Sequence, residues 1–270
     1  MKTKRQPNNT NVKGQVQIMT LYTFQPQELI DHINSDGAVL TEMVKTNLYK
    51  HRLENGVPIY MEAYQWMGRK LSEKTGLWLK DIYGEDLDAP TDSDGDYIDE
   101  HGQKLPILPF WCWYITDGKN QEPDRSYSFD RRTENEEYSW NADCGRTLLV
   151  TLEVPEDKVL LSDANAWYCA LETRPCYEFE PNEKELMEAY ESKMAHLRTI
   201  FTDPDSLEEA QMLAEELWEK MIRSWDSILR LEGRQLRTVQ VNDITIKEKY
   251  DIQAVIPFIL KDWVVDVEAL

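Results

Sequence analysis

Hydrophobic and polar positions alternate most clearly after residue 146, where Leu148, Val150, Leu152 and Val154 interleave with Leu149, Thr151 and Glu153. A period of two predicts a strand, and Pro155 ends it by removing a ladder donor and restricting the residue before it. A second apolar run over 159–161 follows the charged turn Glu156-Asp157-Lys158, Ser162-Asp163 then offers a cap for whatever begins at Ala164, and Tyr168 to Leu171 fit a short helix facing the core. Residues 18–24 predict a first strand. Pro26 is placed to open a helix over 27–35, and Gly37 to close it. Ile59, Ala63, Trp66, Met67, Lys70 and Leu71 recur mostly at three- and four-residue spacing, which predicts an amphipathic helix over 59–74.

Pro106 and Pro109 break the start of the run LPILPFWCWYI, whereas 110–115 reads as a buried strand with Trp111 and Trp113 on one side. The polar stretch 116–143 reads as a loop that covers a pocket. A helix over 183–197 is predicted from Leu186, Met187, Tyr190, Met194 and Leu197. A stronger one over 206–231 carries the inner stripe Leu207, Ala210, Leu213, Leu217, Met221, Trp225 and Ile228, with Glu216–Lys220 and Glu219–Arg223 on its outer face. Late strands are expected over 237–241 and 251–258, with an edge segment over 263–267. The expected fold class is α+β, a mixed or antiparallel central sheet with a helical packing layer. A flexible tail over 1–18 precedes a single domain over 19–270, with a helical insertion or subdomain at about 183–232.

Charge narrows the partners. The 270 residues carry a formal net charge of −20, which opposes nonspecific attraction to nucleic acid or an anionic membrane. Arg125, Arg131, Arg132 and Arg146 still allow a local basic pocket, and the acidic surface is suited to a basic protein partner. Cys112, Cys144, Cys169 and Cys176 form no CxxC pair, and His32, His51, His101 and His196 are isolated, so no zinc site of usual spacing is predicted. The string from Asp92 to Asp99 resembles the start of a calcium loop, but it lacks the Gly expected after Asp96 and the closing Glu. With no secretory signal and no membrane-length apolar run, the expected setting is cytoplasmic.

Six motifs resemble the bacterial domain-of-unknown-function family 3841: LYTFQ from Leu21, AYQWM from Ala63, PFWCWY from Pro109, LEVPEDKVLLSDANAW from Leu152, MIRSWDSIL from Met221 and IQAVIPFILKDWV from Ile252. The resemblance spans nearly the whole chain after Met19 and implies no established chemistry. A fold-level similarity to ADP-ribosyltransferase-like proteins rests on Leu21-Tyr22-Thr23 before a helix and Gly37, and on Glu153 in a later strand. That similarity implies NAD as cosubstrate and transfer of ADP-ribose to a protein or nucleic acid. Glu153 and Tyr64 are then the catalytic candidates, and Tyr22, Thr23, Gln25, Arg146, Trp111 and Trp113 the cofactor-binding ones. The first strand lacks the His or Arg common in that class, and Glu153 equally fits a solvent-facing strand position. The competing expectations are a noncatalytic acidic protein-binding module, phage- or defence-related, and a nucleotide-binding regulator without transfer activity.

Overall fold

The structure, a computed structural model, describes residues 17–40, 61–83, 90–98, 102–116, 118–123, 146–177, 180–231, 237–241, 244–248 and 251–269. The expected tail up to residue 16, the calcium-like loop beyond residue 98, the whole of 124–145, Ile59 and Gly233 lie outside these residues. Strand β1 (Ile18–Pro26) leads into helix α1 (Gln27–Asp36), and Gly37 closes the helix with φ +78° and its N–H on Ile33 O. A left-handed residue is needed there, so glycine is the residue that ends this helix without strain. Next come β2 (Ala38–Leu40), α2 (Met61–Thr75) and α3 (Leu79–Tyr83). Strands β3 (Phe110–Ile115), β4 (Arg146–Pro155) and β5 (Leu160–Asp163) lead to α4 (Ala164–Leu171). Helices α5 (Glu183–Ile200) and α6 (Leu207–Ser224) form a hairpin. The chain ends with β6 (Arg237–Val241), β7 (Ile244–Glu248), β8 (Ile252–Ile256), β9 (Phe258–Leu260) and β10 (Val264–Ala269).

Six strands make the central sheet in the order β10-β4-β1-β3-β8-β5, with every neighbouring pair antiparallel. The class is therefore α+β with an antiparallel sheet. Strands β2 and β9 pair separately, as do β6 and β7. The link from Pro155 to Leu160 spans at most about 17 Å of chain, whereas a flat sheet would hold β4 and β5 about 19 Å apart across four strand spacings. The sheet must therefore curl. Fully buried Val159, in that link, joins the core beneath Leu152 and Val154.

Alternation divides the sheet into two faces. Met19, Leu21, Cys112, Leu148, Val150, Leu152, Val154, Ala254 and Ile256 pack on Ile30 and Ile33 of α1. On the other face, Val255, Trp111 and Leu160 meet a helical layer built on Ala63, Trp66, Met67 and Leu71 of α2, on α4, and on Met221, Trp225 and Ile228. Asp163 caps α4 as expected, its carboxylate accepting from Ala166 N at 2.8 Å.

The helix expected over 206–231 is two elements. It runs as α6 to Ser224 and tightens into a 3-10 turn over Trp225–Leu229, because Trp225, Ser227 and Ile228 are all buried and three of four successive residues do not share one α-helical stripe. Leu207 belongs to the exposed surface, at 61 % accessibility, and not to the inner stripe: it occupies the first turn after the Asp203-Pro204 corner. Glu216–Lys220 and Glu219–Arg223 do pair, and Lys193 of α5 donates to Glu216 at 2.6 Å, tying the hairpin together. The two lysines hold the Glu216 carboxyl down at about 2.

Within the string from Asp92, one carboxylate oxygen of Asp92 accepts from the backbone N–H groups of Asp94 and Asp96. Lys80 donates to Asp94 O, and Lys104 pairs with Asp96. Those contacts make a lysine-clamped turn. Among the described residues, no group of three or more His, Cys, Asp or Glu side chains is placed to hold a metal.

Gly68 makes a sharp test of the α2 packing. Alanine in a helix interior usually gains about 1 kcal/mol over glycine, but a Cβ here would stand 2.3 Å from Ile107 O. That carbonyl has little room to retreat, since Ile107 N donates to buried Ser72 Oγ at 3.2 Å. Overpacking of this kind costs about 1–3 kcal/mol, so Gly68→Ala is expected to lower the unfolding midpoint despite its better helix propensity. A raised midpoint in thermal unfolding would show that the 106–107 segment yields.

Candidate functional site

Strand register assembles a polar row across the helix-bearing face. Tyr22 pairs with both Trp113 and Thr151, Trp113 pairs with Gln253, Gln253 with Ser162, and Thr151 with Asp266. Directly paired residues share a face, so the row reads Ser162, Gln253, Trp113, Tyr22, Thr151, Asp266 from one edge of the sheet to the other. One step along the strands lies a mainly apolar row, Leu160, Val255, Trp111, Phe24, Leu149 and Glu268. On the opposite side of the polar row, Thr20 pairs with exposed Glu153.

Aromatic side chains build up one end of this surface. Trp111 and Trp167 lie 4.7 Å apart between ring centroids, tilted by 34°, and Tyr64 meets both edge-on at 5.8 and 5.9 Å. Three buried polar atoms sit in the same region without a hydrogen-bond partner among the described residues: Trp111 Nε1, Ser162 Oγ and Gln253 Oε1. Toward the other end, burial first and the nearby Glu122 carboxylate second push the Tyr22 phenol above its ordinary value. Tyr22 is therefore a neutral hydroxyl, able to donate, near neutral pH. Asn120 holds the 118–123 segment against the strands by donating to Tyr114 O and Thr20 O.

Of the residues expected to form a site, Tyr22, Trp111, Trp113, Tyr64 and Glu153 are brought to one face. Thr23 and Gln25 point to the other, as alternation along β1 requires. Thr23 is buried, its hydroxyl donating to Trp111 O at 2.9 Å and accepting from Gln25 Nε2 at 2.7 Å. These two residues brace β1 against β3. Arg146 begins β4, seven residues and about 23 Å along the strand from Glu153, and its side chain is outside those described.

Residues 98–265, more than half of the chain, match the family described as Domain of unknown function (DUF3841). The fold is an antiparallel-sheet α+β domain, and the chain belongs to that family. Comparison with curated proteins and with solved structures found no match. No described helix is long and apolar enough to cross a membrane.

The sequence reading missed Gln253, Ser162, Thr151 and Glu122, whereas Trp167, read as core, is buried in the helical layer. Gln253 did leave a signal, as the one polar residue in the otherwise apolar run IQAVIPF. Ser162 was masked by its neighbour Asp163, which is the actual cap.

The described cysteines are packing groups. Among the described residues, Cys112, Cys169 and Cys176 are buried cysteines that form no disulfide. Burial pushes the Cys112 thiol up to about 12, against a smaller opposing contact with Thr23. Only about one part in 10⁴ is then thiolate at pH 8, and native protein is expected to leave Cys112 unmodified by iodoacetamide at that pH, as read by peptide mass. Because the folded value lies above the unfolded one, its contribution to stability holds below about pH 9 and is lost as pH climbs toward 12. Rapid alkylation of Cys112 at pH 8 would contradict the burial argument.

Proposed function

We propose that the Tyr22–Trp113–Thr151 face binds a nucleotide and that the chain transfers ADP-ribose from NAD to a protein or nucleic-acid nucleophile. The observation that carries this reading is the grouping of Glu153, Tyr22 and Trp111 on one sheet face, with Tyr64 and Trp167 of the helical layer packed over Trp111. Aromatic rings suit a planar base. Glu122, Glu153 and Asp266 suit the positive charge of an oxidised nicotinamide and of the ribosyl centre that forms as it leaves.

In this reading the bond between the nicotinamide nitrogen and the ribose C1′ breaks, and the electron pair departs with nicotinamide. Glu153 stabilises the positive charge at C1′ and orients the incoming nucleophile, whose bond to C1′ forms as its proton passes to solvent or to the carboxylate. Tyr22, held as a phenol, offers a hydroxyl to the ribose. Thr23 and Gln25 act by positioning β1.

The test is purified protein with cell extract and NAD labelled in the adenylate half, reading nicotinamide release and transferred label together. Both signals rising together support the transferase reading. Saturable NAD binding with no release supports a nucleotide-binding regulator, and no binding over a broad range of conditions removes both.

A second reading draws on the α5–α6 hairpin, whose acidic surface also exposes Phe201, Met212 and Trp218. A basic protein partner would dock there through a salt-sensitive contact. Unchanged affinity for a captured basic protein after Trp218→Ser and charge neutralisation of the hairpin would remove it.

A further inference from the structure

We propose that Trp111, Gln253 and Ser162 form a subsite for a neutral planar amide, a group carrying a carbonyl acceptor beside an N–H donor. The inference deepens the nucleotide reading above and rests on it for the location of the ligand. Its basis is the unpaired state of three polar atoms in one small region. Trp111 Nε1, Gln253 Oε1 and Ser162 Oγ are each buried without a partner among the described residues, and Ser162 is 0 % exposed. Buried polar atoms are nearly always satisfied, and leaving three together unpaired is a cost that packing alone does not offset.

Their positions make them a set. Gln253 and Ser162 are directly paired across β8 and β5, so their side chains stand on one face. Trp111 pairs with Val255, two residues from Gln253 on that same face, which is a diagonal neighbour position. The helical layer roofs the region with Trp167 and Tyr64. Strands β3 and β1, carrying Trp113 and Tyr22, lie between this corner and Glu153.

The chemistry of the three atoms selects the ligand. An indole N–H only donates, an amide oxygen only accepts, and a hydroxyl does either. A carbonyl beside an N–H satisfies the first two at once, and Ser162 takes the remaining hydrogen bond. None of the three is charged, so a carboxylate in place of the amide gains no cation and sets its charge beside the Gln253 oxygen. Two sources present this group: the carboxamide of nicotinamide, and the lactam edge of a nucleobase such as uracil.

The experiment measures binding of nicotinamide, nicotinic acid, uracil and ADP-ribose to the full chain by calorimetry, with Gln253→Leu and Ser162→Ala alongside. Nicotinamide is expected to bind at least tenfold more tightly than nicotinic acid. Gln253→Leu should lose at least tenfold for nicotinamide and leave ADP-ribose unchanged, while Ser162→Ala should lose severalfold. Without ligand, Ser162→Ala is expected to unfold at a higher temperature than the parent, because it removes an unpaired buried hydroxyl. That second variant keeps the test intact if Gln253→Leu fails to fold.

Tighter binding of uracil than of nicotinamide supports the subsite and names a base as its source. Nicotinamide bound as expected with ADP-ribose unbound also supports the subsite, and counts against the transferase reading alone. Equal affinity for nicotinamide and nicotinic acid overturns the subsite, as does ADP-ribose binding with neither amide bound. A Ser162→Ala chain that unfolds earlier and binds nicotinamide unchanged overturns it too, since the three atoms would then be holding only an ordered water.

Discussion

Trp225→Ala is expected to remove about 3–5 kcal/mol of folding stability, a large share of the roughly 5–15 kcal/mol that a domain possesses. Trp225 is fully buried where α6 ends, and its ring meets Trp66 edge-on at 5.8 Å. Its indole N–H donates to Arg174 O at 2.9 Å. Two serines stitch the same junction: Ser224 Oγ accepts from Cys176 N at 2.8 Å, and Ser227 Oγ donates to Cys176 O at 2.9 Å. Truncation therefore opens a cavity under α2, removes the hydrogen bond to Arg174 O, and loosens the seam that holds the hairpin to the sheet. The measurement is urea unfolding of Trp225→Ala beside Trp225→Phe and Trp218→Ala. The phenylalanine should fall between parent and alanine, because it keeps a ring but loses the N–H. Trp218, at 43 % exposure, should change stability by less than about 1 kcal/mol. Equal losses at 218 and 225 would mean that burial does not set the cost here.

The same tryptophan shows what the sequence can and cannot convey. Its apolar spacing marks Trp225 and Ile228 as inward, and both are buried. Periodicity reports which residues face a core, but not that the backbone changes from α to 3-10 winding to bury three of four in succession. The antiparallel core was legible in the Leu148 to Val154 alternation because a half-buried strand repeats with period two. Strand order was not. Which strand lies beside β1 depends on pairings between residues about ninety or more positions apart, Tyr22 with Trp113 on one side and with Thr151 on the other, and nothing local encodes them. Strand β7 escaped notice between its neighbours, and Trp263, expected to open the last strand, lies in a short 3-10 turn before β10.

The candidate site was half legible for the same reason. Alternation placed Trp111 and Trp113 together, and it also obliged Tyr22 and Thr23 to part, so a run of adjacent residues on β1 cannot all line one pocket. Grouping 22, 23 and 25 as one binding set followed proximity in sequence. The row Ser162–Gln253–Trp113–Tyr22–Thr151 follows proximity in space and draws on five different strands. A sequence signal for Gln253 existed, but its meaning depended on the strand beside it.

On the transferase reading, Glu153→Gln is expected to lower nicotinamide release and label transfer by about 10²–10³-fold with NAD affinity within about twofold of the parent. The substitution keeps the shape of the side chain and removes its charge, so it separates stabilisation of the ribosyl cation from the binding of the base. Glu153 is exposed on β4, and the exchange should leave the unfolding midpoint unchanged within about 0.5 kcal/mol. Glu122 provides the internal comparison, being the carboxylate whose charge acts on Tyr22. Glu122→Gln should change turnover by less than about tenfold, since it reaches the site through the phenol and not from the strand beside Thr20. If Glu122→Gln abolishes transfer while Glu153→Gln retains it, the catalytic carboxylate is on the 118–123 segment and the strand assignment falls. If both variants release nicotinamide at the parental rate, the charge on this face stabilises no ribosyl cation, and what remains of the site is its capacity to bind a planar ring.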